Sequence, residues 1–286
     1  EVARPTLPGR TSFLTLKDVH LLLKQLRLFL TLSKWYGCMV SLKDKVVVIT
    51  GASSGIGKAA AITFAQTGAR LVLVARRKEK LQELEAYLAS FKLQCISVQA
   101  DVTREEEVKY LFDEVERVFG GTDILINNAG RGLEAELCDI SYDEWLSVLN
   151  TNLTSVFLCS REAVKQMIRQ DIQGHIITVS STSGLFGVPA YGAYCASKHG
   201  VTGFKRSIRW DVRKHKIKVS TIHPANVETE FFSTLKTTPK RRDMLAAQDI
   251  ANHLVAIASR STLKIIAVRL LLILKRIYYV IKYTGK

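Results

Sequence analysis

Three features of this chain predict an α/β fold built on a doubly wound parallel sheet of about seven strands. Short apolar runs rich in Val and Ile alternate with longer amphipathic stretches across most of the sequence, and such alternation requires right-handed crossovers and a sheet covered on both faces. The first apolar run, Lys45–Ile49, meets the start of a helical pattern at Lys58 through the glycine-rich turn Thr50-Gly51-Ala52-Ser53-Ser54-Gly55-Ile56-Gly57. Finally, 286 residues suffice for one large α/β domain but not for two full domains of that kind.

In order, residues 1–12 contain Pro5, Pro8 and Gly9 and read as a loose lead-in. From Phe13 to Tyr36 leucines are dense, but Lys17, His20, Lys24, Arg27 and Lys34 gather on one side of a helical wheel, which predicts an amphipathic helix. It suits packing on the domain or lying at a membrane interface, and no apolar run is long enough to span a bilayer. Further strands are expected at Arg70–Ala75, Cys95–Gln99, Asp123–Asn127, Gly174–Ser180 and Ile217–His223. Between them lie helical patterns at Lys78–Phe91, Arg104–Phe119, Tyr142–Arg169 and Tyr191–His215. Lys264–Val268 is the expected seventh strand, and Arg269–Tyr283 a basic helix. The predicted organisation is an N-terminal extension over 1–42, a catalytic domain over 43–268 and a C-terminal helix over 269–286.

The net charge is +15, unevenly spread. Residues 1–42 carry six Lys/Arg against Glu1 and Asp18, and residues 260–286 carry seven with no acid, so the ends hold +11 and the body only +4. A nearly balanced body excludes a dedicated nucleic-acid-binding core, while the basic, leucine-rich ends fit an anionic membrane surface. Cys38, Cys95, Cys138, Cys159 and Cys195 form no C-x-x-C pair, so neither a zinc site nor a disulfide framework is indicated, and a reducing, cytoplasmic setting fits with peripheral membrane association open to the ends. The six histidines show no ligand spacing and no metal is expected. The chain begins at Glu1 without Met, which leaves room for an upstream targeting segment.

The glycine turn between strand and helix lets backbone N–H groups at a helix N-terminus face an anionic pyrophosphate, and missing Cβ atoms let it approach. Gly51, Ser53, Ser54, Gly55, Ile56 and Gly57 are the candidate contacts. The second strand ends Ala75-Arg76-Arg77-Lys78, where an acid would select a free ribose 2′-hydroxyl; Arg76 and Arg77 instead suit a 2′-phosphate, favouring NADP(H) over NAD(H). Asp101-Val102 and Asn127-Asn128-Ala129-Gly130 follow the third and fourth strands and can line the same crevice.

Tyr194 and Lys198 stand four apart on a predicted helix and share a face, so the ammonium can favour the ionised phenol. Free tyrosine titrates near ~10, too high for an efficient base at neutral pH, and a nearby cation is the remedy. Ser181, at a strand end, can hold a carbonyl or alcohol oxygen. Alone, such a Tyr/Lys pair is more often an ordinary helix face.

Together these motifs resemble the short-chain dehydrogenase/reductase family in its single-domain, NADP(H)-preferring branch, over about residues 43–259 and in the right order: Thr-Gly-x-x-x-Gly-x-Gly at 50–57, Asn-Asn-Ala-Gly at 127–130, Asn152, Ser181 and Tyr-x-x-x-Lys at 194–198. The resemblance implies a Rossmann-like sheet and hydride transfer between nicotinamide and a carbonyl or secondary alcohol. Under it, Tyr194 is the acid/base, Lys198 binds the nicotinamide ribose and lowers the tyrosine's pKa, Ser181 orients the substrate oxygen, and Asn152 helps hold a relay water. Asp101 and Val102 contact adenine, Asn128, Ala129 and Gly130 form the cofactor floor, and Pro224, Val227 and Thr229 lie at the nicotinamide end. Two departures stand out. Ala225 replaces the glycine usual after Pro224, which puts the seating of the nicotinamide in question, and a glycine-rich ending is absent. The 230–246 stretch, with Lys236, Lys240, Arg241 and Arg242, is expected as a short, solvated substrate loop. The partner is a small carbonyl or alcohol, with a homo-oligomer open. The rival from another class is a cofactor-sensing or membrane-associated scaffold without catalysis.

Overall fold

The computed structural model describes residues 42–259 apart from 242 and 243. The expected helices at Phe13–Tyr36 and Arg269–Tyr283 and the expected strand Lys264–Val268 lie outside the described residues. Within them, six parallel strands form one sheet in the order β3-β2-β1-β4-β5-β6, namely β1 (Val46–Thr50), β2 (Arg70–Ala75), β3 (Cys95–Gln99), β4 (Ile124–Asn127), β5 (His175–Val179) and β6 (Lys218–Ile222). A separate parallel pair joins β7 (Val227–Glu228) to β8 (Leu245–Ala246). Every residue of β1, β4 and β5 is buried, the pattern of central strands covered on both faces.

Strand alternation sorts the core into two halves. Val47, Ile49, Leu71 and Leu73 face α1 (Gly55–Ala65), α2 (Lys78–Ala89) and α7 (Ala247–Ala258), meeting Phe64, Leu84 and Leu254. Val46, Val48, Val72 and Val74 face α3 (Glu105–Phe119) and α5 (Ser155–Arg169), meeting Leu111, Val115 and Met167. The ends of α3 follow from its sequence: three glutamates in the first turn, Arg117 in the last, and Gly120 in the left-handed region at φ 78° as a C-cap. A capping box between Ser141 and Glu144 opens α4 (Tyr142–Leu149).

The single long helix expected over Tyr142–Arg169 is in fact two, α4 and α5, joined by a π turn at Asn150–Thr154. The physical reason lies in Asn152, fully buried, whose side chain accepts from the Arg131 backbone N–H (2.8 Å) and donates to the Arg131 carbonyl (2.9 Å) and the Ser197 hydroxyl (3.0 Å). Accommodating that anchor inserts one residue into the helical ladder, as π turns do near functional sites. The first helix also starts earlier than expected, at Gly55, so that the glycine turn supplies its first residues.

α6 (Gly192–Asp211) carries a second buried lysine besides Lys198. Lys205 donates through Nζ to the Ser160 hydroxyl (2.9 Å), which also receives Asn127 Nδ2 (3.0 Å), and burial pushes its pKa down to about 7.

Candidate active site

The strand order reverses between β1 and β4, and there, beyond the carboxyl ends of the strands, lies a cavity of about 850 Å³. Its floor is set by one hydroxyl. Thr50 Oγ1 accepts from the backbone N–H groups of Asn128 (3.0 Å) and Ala129 (3.1 Å), while Asn128 Nδ2 donates back to the carbonyls of Thr50 (3.0 Å) and Gly51 (3.3 Å). The glycine turn and the loop after β4 are therefore one bonded unit. Gly51 sits at φ 65° with the Ala129 backbone and the Asn128 side-chain amide against it, and a Cβ at Gly57 would run into the Gly51 carbonyl oxygen. Ser54 is the N-cap of α1 yet makes no side-chain cap bond, so the first-turn amides face the cavity uncapped by protein side chains.

At the adenosine side, Arg77 donates through Nη2 to the Ser53 hydroxyl (3.0 Å) and through Nη1 to Glu230 (3.0 Å). Arg76 lies 3.9 Å from the Asp101 carboxylate, whose other oxygen accepts from the Thr103 backbone N–H (3.0 Å) and hydroxyl (2.8 Å). At the other side, Tyr194 and Lys198 project from α6 toward Ser181 at the end of β5. Lys198 Nζ donates to the Val179 carbonyl (3.2 Å) and stands 5.7 Å from the centre of the Tyr194 ring.

Of the expected catalytic and coenzyme-binding residues, all line this one cavity except Gly57 and Asn152, while Asn127 of the motif after β4 is buried with its amide on Ser160 and Lys236, Lys240 and Arg241 lie off the cavity wall. Gly57 is buried where α1 packs against the turn, and Asn152 supports the wall from behind. The amide of Asn152 is committed to Arg131 and Ser197, so the expected hold on a relay water meets a side chain already in use.

Burial dominates the electrostatics of the Tyr194/Lys198 pair. Burial, the largest influence, pushes the Tyr194 phenol up to about 12, while its hydrogen bond with Ser181 pulls the other way. Lys198 is itself pushed down to about 8 by burial. Desolvation, which disfavours the charged form of each group, is thus the largest influence on both members of the pair.

At Ala225 the backbone avoids the left-handed region, so alanine fits where the family has glycine without strain. Thr229 caps the turn Glu230–Thr234 by accepting from the Phe231 N–H (3.3 Å), and its methyl stands where a Cβ at Gly55 would collide with it.

Sequence reasoning missed the residues facing Tyr194. The Tyr191 and Phe231 rings lie 6.2 and 5.5 Å from its ring, and Glu134 binds Thr237 through its N–H (2.7 Å) and hydroxyl (2.6 Å) and receives the Tyr191 hydroxyl (3.3 Å). Apart from the Tyr191–Tyr194 ring contact, these contacts are non-local, and no spacing marks them. The 230–246 stretch is correspondingly more built than expected, with a 3₁₀ turn, a fixed Thr237 and β8.

This is the architecture of a dinucleotide-type α/β oxidoreductase, with a glycine cradle at a helix N-terminus and a Ser/Tyr/Lys group at the next strand end. Residues 45–240 match the short chain dehydrogenase family model, and the chain belongs to that family. It is 36% identical over 213 residues to an uncharacterized oxidoreductase of Staphylococcus aureus, covering 74% of this chain and 90% of that protein. It is 40% identical over 192 residues to the farnesol dehydrogenase of Aedes aegypti, covering 65% and 78%. Among solved structures it is similar to an alcohol dehydrogenase of Thermococcus sibiricus complexed with 5-hydroxy-NADP (TM-score 0.70, 26% identity, 74% of this chain and 89% of that one). It is similar too to a short chain dehydrogenase/reductase of Burkholderia phymatum in complex with NAD (TM-score 0.71, 29% identity, 80% and 93%). Among the described residues no helix is long and apolar enough to cross a membrane, and no group of His, Cys, Asp or Glu is arranged to hold a metal.

Proposed function

We propose that the protein is an NADP(H)-dependent reductase of carbonyl compounds, acting between a ketone or aldehyde and the corresponding alcohol. The observation that carries the reading is the convergence of Ser181, Tyr194 and Lys198 on the same cavity as the uncapped α1 N-terminus. The cradle fits a pyrophosphate because the α1 N-terminus carries no side-chain cap, while Gly51, Gly55 and Gly57 let the turn fold closely against Ala129, Thr229 and the Gly51 carbonyl, where a Cβ would clash. A nicotinamide coenzyme seated there supplies the hydride.

Ser181 orients the substrate oxygen toward the phenol of Tyr194. With its pKa pushed up to about 12, Tyr194 keeps its proton at neutral pH and can give it to that oxygen, the protonation state that reduction requires. Lys198 holds the nicotinamide ribose, and Asn152 positions the loop at Arg131 and the helix at Ser197. Asp101, Val102, Asn128, Ala129, Gly130, Pro224, Val227 and Thr229 are the remaining coenzyme contacts. Phe186, Tyr191 and Phe231 give the substrate wall an apolar, aromatic character.

Similar structures hold NADP in one case and NAD in another, so coenzyme choice rests on this chain's own residues. Arg76, Arg77 and Ser53 support NADP(H). The test is oxidation of NADPH and NADH over a panel of aldehydes and ketones. Turnover with NADPH is the expected result, and replacing Arg76 and Arg77 with alanine should weaken NADPH far more than NADH. Equal losses with both coenzymes, or no turnover on any carbonyl, would count against the reading and revive the scaffold. The basic ends add a proposed hold on anionic membranes: the full chain should sediment with anionic but not neutral vesicles and be released by salt.

A further inference from the structure

Arg77 is not a free cation awaiting a phosphate. Its guanidinium already serves two partners, Ser53 on the phosphate turn and Glu230, which lies 153 residues further along the chain. Glu230 opens the turn Glu230–Thr234, and the next residue, Phe231, lays its ring 5.5 Å from that of Tyr194. Phe231 is pinned from the other side as well, since a Cβ at Gly132 would come within 2.8 Å of its ring edge. The segment is thus tied at two points, by Glu230 to Arg77 and by Thr237 to Glu134, with an aromatic ring between them resting on the phenol.

We propose that Glu230 is a specificity-determining residue that competes with the 2′-phosphate of NADP(H) for Arg77, so that the phosphate, by taking Arg77, loosens segment 230–237 and frees Phe231 from Tyr194. The proposal rests on the NADP(H) reading above. A phosphate oxygen and a carboxylate cannot share Nη1 at hydrogen-bonding distance without facing each other as like charges, and a dianionic phosphate offers the guanidinium the stronger, bidentate partner. NAD(H), with a hydroxyl at that position, leaves the ion pair intact. Both partners are about half exposed, so the pair itself is weak and easily exchanged. The consequence is a coenzyme-selective opening: the phosphate that identifies the coenzyme at one end of the cavity clears the substrate's place at the other.

The test uses the adenosine half alone, so that nicotinamide contacts do not intervene. Hydrogen exchange of amides 230–237 is followed in the full chain with 2′,5′-ADP and with 5′-AMP, and both affinities are measured by calorimetry for wild type, Glu230→Gln and Arg77→Ala. In wild type 2′,5′-ADP should speed exchange in this segment several-fold, and 5′-AMP should not. Glu230→Gln should exchange fast without ligand and bind 2′,5′-ADP about three- to tenfold more tightly, with 5′-AMP unchanged. If both ligands affect the segment equally, or if Glu230→Gln leaves 2′,5′-ADP affinity unchanged while Arg77→Ala weakens it, the coupling is wrong and the NADP(H) reading survives. If Arg77→Ala leaves the preference for 2′,5′-ADP intact, Arg77 does not read the phosphate and the coupling falls alone; if wild type shows no preference for 2′,5′-ADP over 5′-AMP, both fall.

Discussion

Replacing Lys205 with methionine should stabilise this protein, and should do so in a pH-dependent way. Lys205 Nζ is buried and has the Ser160 hydroxyl as its hydrogen-bond acceptor, and burial lowers its pKa from 10.5 to about 7. The unfolded chain therefore binds more protons at this residue than the native one between those two values, so stability rises with pH across that window and is lost as pH falls toward 7. At about 1.4 kcal/mol per unit, the three to four units of depression correspond to a cost on the order of 5 kcal/mol at pH 6, where the ammonium is retained in the core. Methionine has nearly the same length and no charge, and Ser160 keeps its bond from Asn127. Urea unfolding followed by tryptophan fluorescence at pH 6, 7 and 9 measures the difference. Lys205→Met should be the more stable protein at pH 6 by several kcal/mol, and the gap should shrink by about 2 kcal/mol between pH 7 and 9. Lys198, also depressed, contributes equally to both proteins and cancels. A gap that stays constant between pH 7 and 9, or a methionine variant less stable at pH 6, would refute the argument.

Three other outcomes are expected. Tyr194→Phe should lower kcat by ~10²–10⁴ while coenzyme affinity measured by fluorescence titration barely changes; a loss under about tenfold would remove Tyr194 from the proton transfer. Glu134→Gln should raise KM more than it lowers kcat, because it loosens Thr237 and Tyr191 without touching the reacting groups. Since hydrogen bonds from Thr237 hold the Glu134 carboxyl below its ordinary range, the wild-type KM should stay low above that range and rise only as acid protonates the group. Gly57→Ala should abolish folding or coenzyme binding, because the Gly51 carbonyl occupies the place of the new methyl and is itself bonded to Asn128; a well-folded variant with normal affinity would show that the turn can yield.

Much of the fold was legible because its signals are local. The six strands, the glycine turn and the Tyr194/Lys198 spacing depend on residues within a few positions of each other, and the structure places them as the sequence implies. What escaped depends on contacts between distant segments. The π turn exists because Asn152 reaches Arg131, which apolar periodicity cannot register. Glu134 with Thr237 and Arg77 with Glu230 join residues 103 and 153 positions apart. Spacing reveals the cation four residues from Tyr194 but not the depth of burial that pushes the phenol up.

The π turn also bears on how this chain tolerates change in length. One residue turns an α-helix by about 100°, and the wider π turn absorbs one extra residue without passing that rotation on, so α5 keeps the phase of a continuous helix one residue shorter. An insertion within α5 ahead of Leu158 would meet no such slack: it would carry Ala163 and Met167 from the sheet and bring Glu162 and Lys165 into the buried places of Ala163 and Gln166. The chain can therefore lose one of residues 150–154 with its two helices still in phase, at the cost of the bonds from Asn152 to Arg131 and Ser197. A deletion scan along 142–169 would find folded protein best kept at this seam.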